Sequence, residues 1–115
     1  MNKSTFKRFD VLDVRLDPSV GSEVKKTRPC LVVSPDEMND QPINMIMVVP
    51  ITSKKRNLPT RVKIPKKDGF GISVESYAMV DQIRSISKDR VVQKLGTVSS
   101  KYGEDVLDCL LQMFQ

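Results

Sequence analysis

The sequence predicts an α+β domain, mainly β, in which one terminal helix packs across a barrel-like sheet. Short apolar and β-branched runs alternate with turn residues along most of the chain, and this rhythm predicts five to seven strands. Helical spacing of apolar residues is strong near the C-terminal end, and strands do not alternate with helices. At 115 residues the chain is expected to form a single domain, residues 1–115, around one core.

The first half of the chain predicts three strands. Between Phe9 and Leu16 alternate side chains are apolar, which is the period of a half-buried strand. Residues 17–29 are expected to form a thirteen-residue loop, and connections of that length in compact domains are often functional. Two short apolar runs, residues 30–34 and 44–50, then predict a long hairpin around a polar segment.

The second half continues the same pattern. A basic loop at residues 52–59 precedes an alternating strand at residues 60–64. The segment 65–71 is expected to turn at its two glycines. Residues 73–80 run directly into residues 81–86, and residues 91–98 are expected to form the final strand.

Three local expectations follow from side-chain spacing. If the chain stays extended, Gln82 and Arg84 share one face of their strand. Ser99 or Ser100 is expected to cap a helix, although Gly103 weakens its first turn. The apolar residues that recur at helical spacing there are Val106, Leu107, Leu110, Leu111 and Phe114. The strand methionines expected to fill the core are Met45, Met47 and Met79.

Composition limits the possible chemistry. Nineteen basic and fourteen acidic residues give a formal charge of +5, which would attract a polyanion. Histidine is absent, and this excludes His-dependent nucleophiles and metal sites that need imidazole. Cys30 and Cys109 lack the Cys-x-x-Cys spacing of zinc and redox motifs, so they are expected to be buried, reduced thiols.

One dipeptide stands out in the basic first loop. Pro29 disfavours the helical conformation for the residue before it and holds Arg28 extended. A guanidinium on a stiffened backbone is well suited to bind an anion. No apolar run is long enough for a signal peptide or a membrane span, so a cytoplasmic location without membrane contact is expected.

The chain resembles the MazF/PemK/Kid-type endoribonuclease toxins of bacterial toxin–antitoxin pairs. The resemblance covers nearly the whole chain and rests on "RFDVLDVRLDPSVGSE", "TRPCLVVS", "VVPITS", "LPTRVKI", "VDQIRSISKDR" and "KLGTVS", in the family's order and spacing. It implies an SH3-like barrel of the CcdB/MazF/PemK type with a C-terminal helix, assembled as a homodimer. The dimer groove would hold single-stranded RNA, such as mRNA.

The same resemblance implies the reaction. RNA would be cleaved at short sequences without a metal or other cofactor, leaving a 2',3'-cyclic phosphate and a 5'-hydroxyl, and translation and growth would be inhibited. Because the RNA 2'-hydroxyl is the nucleophile, the protein needs only to orient it, move protons and stabilise charge on phosphorus. A chain without histidine is compatible with this chemistry.

Catalytic roles are implied at three positions. Arg28 matches the arginine of the Arg-Pro motif and would donate charge-assisted hydrogen bonds to the scissile phosphate. Thr52 matches the hydroxyl residue of the Pro-x-Thr motif and would bind the same phosphate or the leaving oxygen. Glu23 matches the loop carboxylate and would help to accept the 2'-hydroxyl proton.

A fourth position departs from the family pattern. Asp81 matches a carboxylate that acts as the base in the Kid-like branch. The arginine that this branch places two residues earlier is Met79 here, and its first-loop histidine is Ser22. These departures favour catalysis by arginine and threonine over a catalytic Asp81.

RNA contacts are expected from the two basic loops and from the Gln-x-Arg motif that follows them. The residues are Ser22, Lys25, Lys26, Ser53, Lys54, Leu58, Pro59, Gln82 and Arg84. The chain has no tryptophan and few other aromatic residues, so hydrogen bonding to bases rather than stacking should dominate its sequence choice.

The family implies one further partner. A disordered antitoxin with acidic and apolar segments would wrap the dimer, block the groove and link the toxin indirectly to operator DNA. Two other functions fit the same fold, namely a CcdB-like toxin that binds gyrase and a barrel that binds nucleic acid without cutting it. The C-terminal "CLLQMFQ" lacks the Trp-Gly-Ile tail of CcdB, and the Arg and Thr motifs are present. The sequence does not specify the RNA word that is cut.

Overall fold

Seven strands and two helices make up the part of the chain that the computed structural model describes, residues 5–16 and 27–115. Four predicted site residues, Ser22, Glu23, Lys25 and Lys26, lie outside these described residues. The strands are β1 (Asp10–Arg15), β2 (Thr27–Val32), β3 (Met45–Thr52), β4 (Arg61–Ile64), β5 (Ser76–Met79), β6 (Arg84–Ser87) and β7 (Val91–Thr97). The helices are α1 (Asp36–Asn39) and α2 (Ser100–Met113).

The strands form one antiparallel sheet with the order β4-β5-β3-β2-β1-β7. Strand β3 is the longest. One edge of β3 pairs with β2, and two other strands share its opposite edge. Its first half pairs with β6 and its end pairs with β5. A 3-10 turn at Val80–Gln82 separates these two partners, so the extended conformation does not persist through residues 73–86. The expected α+β, mainly β, barrel-like fold with a C-terminal helix is confirmed.

The curved sheet is buried on both faces. Val11 belongs to one apolar cluster, together with residues of β3 and α2, whereas Leu12 and Val14 belong to a second cluster on the opposite face. The first half of the strand is therefore buried on both sides, which differs from the predicted half-buried strand, whereas partly exposed Asp13 and Arg15 alternate with buried Val14 as predicted. Helix α2 contributes Val106 to the apolar cluster that contains Val11.

Helix α2 packs closely because Gly103 has no side chain. A Cβ atom at Gly103 would lie 2.6 Å from the ring of Phe9. Ser99 occupies the N-cap position, as one of the two predicted alternatives, although its side chain makes no capping hydrogen bond. The predicted apolar helix face is only partly correct, because Leu111 is 64% exposed and Phe114 is 79% exposed.

Several boundaries differ from the predictions. Arg28 and Pro29 belong to β2 instead of the preceding loop, since β2 already pairs with β1 from Thr27 onward. The polar segment of the β2–β3 hairpin contains the short helix α1, which was not predicted. Of the three methionines expected in the core, Met79 is buried and Met47 packs against the core, whereas Met45 is exposed.

Candidate nucleic-acid interface

Adjacent strands place Arg28 and Thr52 side by side. Cys30 pairs with Pro50 in the antiparallel register of β2 and β3. The recorded pairing ends at Cys30 and Pro50, and Arg28 and Thr52 each lie two residues beyond it, at the same end of the two strands. Arg28 is exposed and Thr52 is partly buried, and both line the same two surface depressions.

The hydroxyl of Thr52 also shapes the loop that follows it. Its Oγ1 accepts a hydrogen bond of 3.1 Å from the backbone N–H of Lys54. Two residues later the chain turns, because Leu58 N–H donates to the Arg56 carbonyl and Arg61 N–H donates to the Leu58 carbonyl. Residues 53–60 thus form the predicted basic loop, and they begin directly at the candidate site.

The first depression, which we call the cationic pocket, has a volume of about 600 Å³. Its lining residues are Leu16, Thr27, Arg28, Pro50, Thr52, Lys54, Arg56, Arg61, Met79, Gln82 and Arg84. Five of the eleven carry a positive charge, and none of these lining residues is acidic. A concave surface of this charge concentrates anions, and its volume suits a small ligand or a nucleotide.

The second depression, which we call the neutral pocket, lies on the other side of Arg28 and Thr52. Its volume is about 640 Å³, and its walls include Ile72, Ser73 and Val74. Apart from Arg28 and Lys54, its lining residues are uncharged. Arg28 and Thr52 therefore lie where a strongly charged surface meets one that is apolar and rich in hydroxyls.

One member of an ion pair, Arg61, lines the cationic pocket. The Arg61 Nη1 donates a hydrogen bond to Asp81 Oδ1, and these two side chains are 8% and 40% exposed. Arg61 pairs with Met79 across β4 and β5, and Asp81 follows in the 3-10 turn. The arginine beside Asp81 therefore comes from a different strand, not from the position two residues earlier.

A buried thiol lies behind the site. Burial raises the pKa of Cys30 to about 12, although the nearby charges of Arg28 and Arg84 oppose the shift. Burial, together with the charge of Asp81, also raises the pKa of Cys109. Both cysteines are free, but only Cys30 is fully buried, so the prediction of two buried thiols is correct for Cys30 alone.

The predicted RNA-contacting residues are only partly brought together. Lys54, Gln82 and Arg84 line the cationic pocket, and Ser53 lines the neutral pocket. Gln82 and Arg84 reach the same pocket even though the chain turns between them. Leu58 and Pro59 are exposed in the basic loop and line neither depression.

Two arginines that sequence reasoning did not single out complete the cationic pocket. Arg56 extends the run of basic residues that follows Thr52, and Arg61 opens β4. The alternation of apolar and polar residues at 60–64 predicted a strand that contains Arg61. The pairing of that strand with β5 determines which pocket the Arg61 side chain lines.

Two findings concern only the described residues. These residues contain no group of three or more His, Cys, Asp or Glu side chains placed to hold a metal ion. Neither of the helices described is long and apolar enough to cross a membrane.

The fold is a mainly antiparallel sheet with a C-terminal helix, and an arginine and a threonine lie in a cationic depression on it. These features define a small basic domain suited to binding an anionic polymer. Comparison with known proteins is more specific. The family described as "PemK-like, MazF-like toxin of type II toxin-antitoxin system" matches residues 7–114. The chain therefore belongs to the PemK/MazF toxin family.

Curated relatives and solved structures agree with this assignment. Endoribonuclease MazF9 of Mycobacterium tuberculosis is 34% identical over 98 residues, which cover 82% of this chain and 83% of the relative. Endoribonuclease EndoA of Bacillus subtilis is 33% identical over 105 residues, or 90% of each chain. The crystal structure of MazF from Deinococcus radiodurans matches with a TM-score of 0.78 at 21% identity, covering 97% of this chain and 98% of that one. This last likeness supports the fold.

Proposed function

We propose that the protein is a sequence-specific, metal-independent endoribonuclease toxin that cleaves single-stranded RNA. The observation that carries this proposal is that Arg28 and Thr52 line the same cationic pocket. Positive side chains of this kind supply the sequence-independent attraction to phosphates. The curated relatives named above are endoribonucleases, and the proposal extends that activity to this chain.

In the proposed reaction the RNA 2'-oxygen attacks the adjacent phosphorus. A bond forms between O2' and phosphorus, and the bond from phosphorus to the 5'-oxygen of the next nucleotide breaks. Arg28 binds the phosphate oxygens, whose negative charge increases in the transition state. Thr52 donates a hydrogen bond to the same phosphate or to the departing oxygen, which takes up a proton from water. The products are a 2',3'-cyclic phosphate and a 5'-hydroxyl end.

The proton of the 2'-hydroxyl must pass to a base. We assign this role to Glu23, following the family resemblance, and treat Asp81 as the alternative. Asp81 already accepts a hydrogen bond from Arg61 through Oδ1, so this carboxylate has a partner within the protein.

RNA contacts are divided between the two depressions. Lys54, Gln82 and Arg84 would bind phosphates and base edges in the cationic pocket, and Ser53 would contact the nucleotide in the neutral pocket. The first-loop residues Ser22, Lys25 and Lys26, together with Leu58 and Pro59, complete the proposed set. Phosphate contacts add affinity without sequence preference, so the target word would depend on base-edge contacts.

The activity is tested with purified protein and a long RNA of mixed sequence in the presence of EDTA. The proposal predicts cuts at one short recurring sequence, with 5' ends that accept phosphate from a kinase and 3' ends closed as cyclic phosphates. Intact RNA, with protein shown to be folded and free of any antitoxin, would contradict the proposal and make a CcdB-like action on gyrase the next hypothesis to test.

We further propose that the toxin acts in the cytoplasm as a homodimer and is neutralised by a cognate antitoxin, which would link it to operator DNA. The structural matches include MazE-MazF of Deinococcus radiodurans, with a TM-score of 0.81 at 22% identity and 97% of each chain covered. Apolar surface around Leu111 and Phe114 is available for such contacts. Sedimentation of the purified protein should give the mass of a dimer. Co-expression of the toxin with the neighbouring gene, which would encode the antitoxin, should restore growth. A monomer, or growth arrest that no neighbouring gene relieves, would contradict these assignments.

A further inference from the structure

We propose that Arg61, oriented by Asp81, recognises the acceptor edge of one RNA base in the cationic pocket and so sets one position of the target sequence. This inference rests on the proposed function, and it adds a specificity residue to the proposed site. The relevant substrate class is a nucleobase that presents carbonyl or ring-nitrogen acceptors.

The Arg61 side chain combines burial with unused hydrogen-bonding capacity. It is 8% exposed, yet it lines the pocket beside Arg28 and Thr52. A guanidinium has five N–H donors, and among the described residues Arg61 makes one side-chain hydrogen bond, to Asp81. Its buried Nε has no partner there. The Nε itself is closed to solvent, so a base in the pocket would meet the Nη2 group, which also has no hydrogen-bond partner among the described residues.

The position of this guanidinium is fixed from several directions. The backbone N–H of Arg61 donates to the Leu58 carbonyl at 3.1 Å, and Val80 N–H donates to the Thr60 carbonyl at 3.0 Å. These bonds hold the start of β4 against the 3-10 turn that carries Asp81. Both members of the ion pair are therefore held by one small unit of structure, and the fork of the guanidinium has a set direction.

Orientation matters more for a base than for a phosphate. Pairing with Asp81 cancels much of the long-range attraction of Arg61 for phosphates but leaves its remaining donors directed. Other cations in the pocket, Arg28, Lys54, Arg56 and Arg84, already provide attraction for phosphates. Phosphate contacts position a nucleic acid, whereas fixed donors that meet base edges read its sequence. Arg61 is thus suited to the second task.

The test measures base preference independently of cleavage. Wild type and variants are mixed with a pool of short random RNAs whose 2'-hydroxyls are methylated, so that the attacking oxygen is blocked and nothing is cut, and the retained RNAs are sequenced. Arg61→Lys keeps the charge but loses the fork. Asp81→Asn keeps Arg61 but loosens its orientation and raises the net charge by one. Lys63→Gln is the matched control, because it removes a cation from the same strand at an exposed side chain outside the pocket.

We expect wild type and Lys63→Gln to retain the same recurring word. Arg61→Lys and Asp81→Asn should lose preference at one and the same position by about fivefold or more, while total RNA retention is largely kept. Thermal unfolding of each variant shows that it is folded, and if Arg61→Lys does not fold, Asp81→Asn still tests the inference. A merely structural ion pair would not change the preference at a single position.

Four outcomes decide the inference, and the last of them separates it from the proposed function. Full preference in both variants, or loss of retention that is equal for all sequences, would overturn the role of Arg61 in reading a base. Wild type that retains RNA without any preference would overturn it as well. Wild type that binds a preferred word, which Arg61→Lys alters, but does not cut RNA would support the inference and contradict the nuclease.

Discussion

Replacing Thr52 by valine removes one hydroxyl and leaves the branched shape of the side chain. In the folded protein this hydroxyl accepts one hydrogen bond, from the exposed Lys54 backbone. Because water can replace that acceptor, the free energy of unfolding should fall by less than about 1 kcal/mol, and the Tm by less than about 5 °C.

The effect on cleavage should be much larger. A hydrogen bond to a charged group contributes about 1.5–3 kcal/mol. If Thr52 donates to the scissile phosphate in the transition state, Thr52→Val should slow single-turnover cleavage by about 10- to 150-fold. The assay uses excess enzyme and a labelled RNA that contains the preferred word, so that product release does not limit the rate.

Thr52→Ser is the matched control, because it keeps the hydroxyl and loses only a methyl group. It should retain most of the cleavage rate. A folded Thr52→Val that cuts as fast as wild type would refute the role of the hydroxyl. Equal losses in the serine and valine variants would also refute it, because they would point to the methyl group or the strand end instead.

Two further predictions concern stability. Burial raises the pKa of Cys30 from 9.0 to about 12, so the thiol loses its proton in the unfolded chain at a lower pH than in the folded protein. Between these two pKa values the free energy of unfolding of wild type should therefore fall by up to about 1.4 kcal/mol per pH unit relative to Cys30→Ala. Urea unfolding across that range measures the difference, and parallel pH profiles would contradict it. Gly103→Ala should lower the free energy of unfolding by up to about 2 kcal/mol. Contact of the new Cβ with the Phe9 ring costs about 1–3 kcal/mol, and the better helix propensity of alanine offsets about 1 kcal/mol of this cost. Denaturant unfolding measures this change, and a more stable variant would show that the ring moves aside.

The core of the proposed site could be predicted from sequence because its two main residues lie on neighbouring strands. The Arg-Pro and Pro-x-Thr motifs each flank an apolar run, and a hairpin between those runs brings Arg28 and Thr52 together. Even so, the strand that carries Arg28 begins earlier than predicted. Its pairing with β1 depends on a contact between Val14 and Arg28, and local propensity carries no information about such distant contacts.

The Arg61–Asp81 pair could not be predicted in the same way. Twenty residues separate the two side chains, and their approach depends on the pairing of β4 with β5 and on the 3-10 turn after Met79. For helix α2 the sequence was also only partly informative. Hydrophobic periodicity predicted the helix, but tertiary packing decides which side of the helix is covered by the sheet, and it leaves Leu111 and Phe114 exposed.

The most direct test of the central claim compares wild type with Arg28→Ala in single-turnover cleavage of one RNA that contains the preferred word. Arg28 is exposed, so the variant should fold with nearly unchanged stability. Lys63→Ala, which removes a cation outside both depressions, serves as the control for charge. The proposed mechanism predicts that Arg28→Ala loses cleavage while Lys63→Ala keeps it. Cleavage by folded Arg28→Ala at the rate of wild type would contradict the assignment of Arg28 to the scissile phosphate.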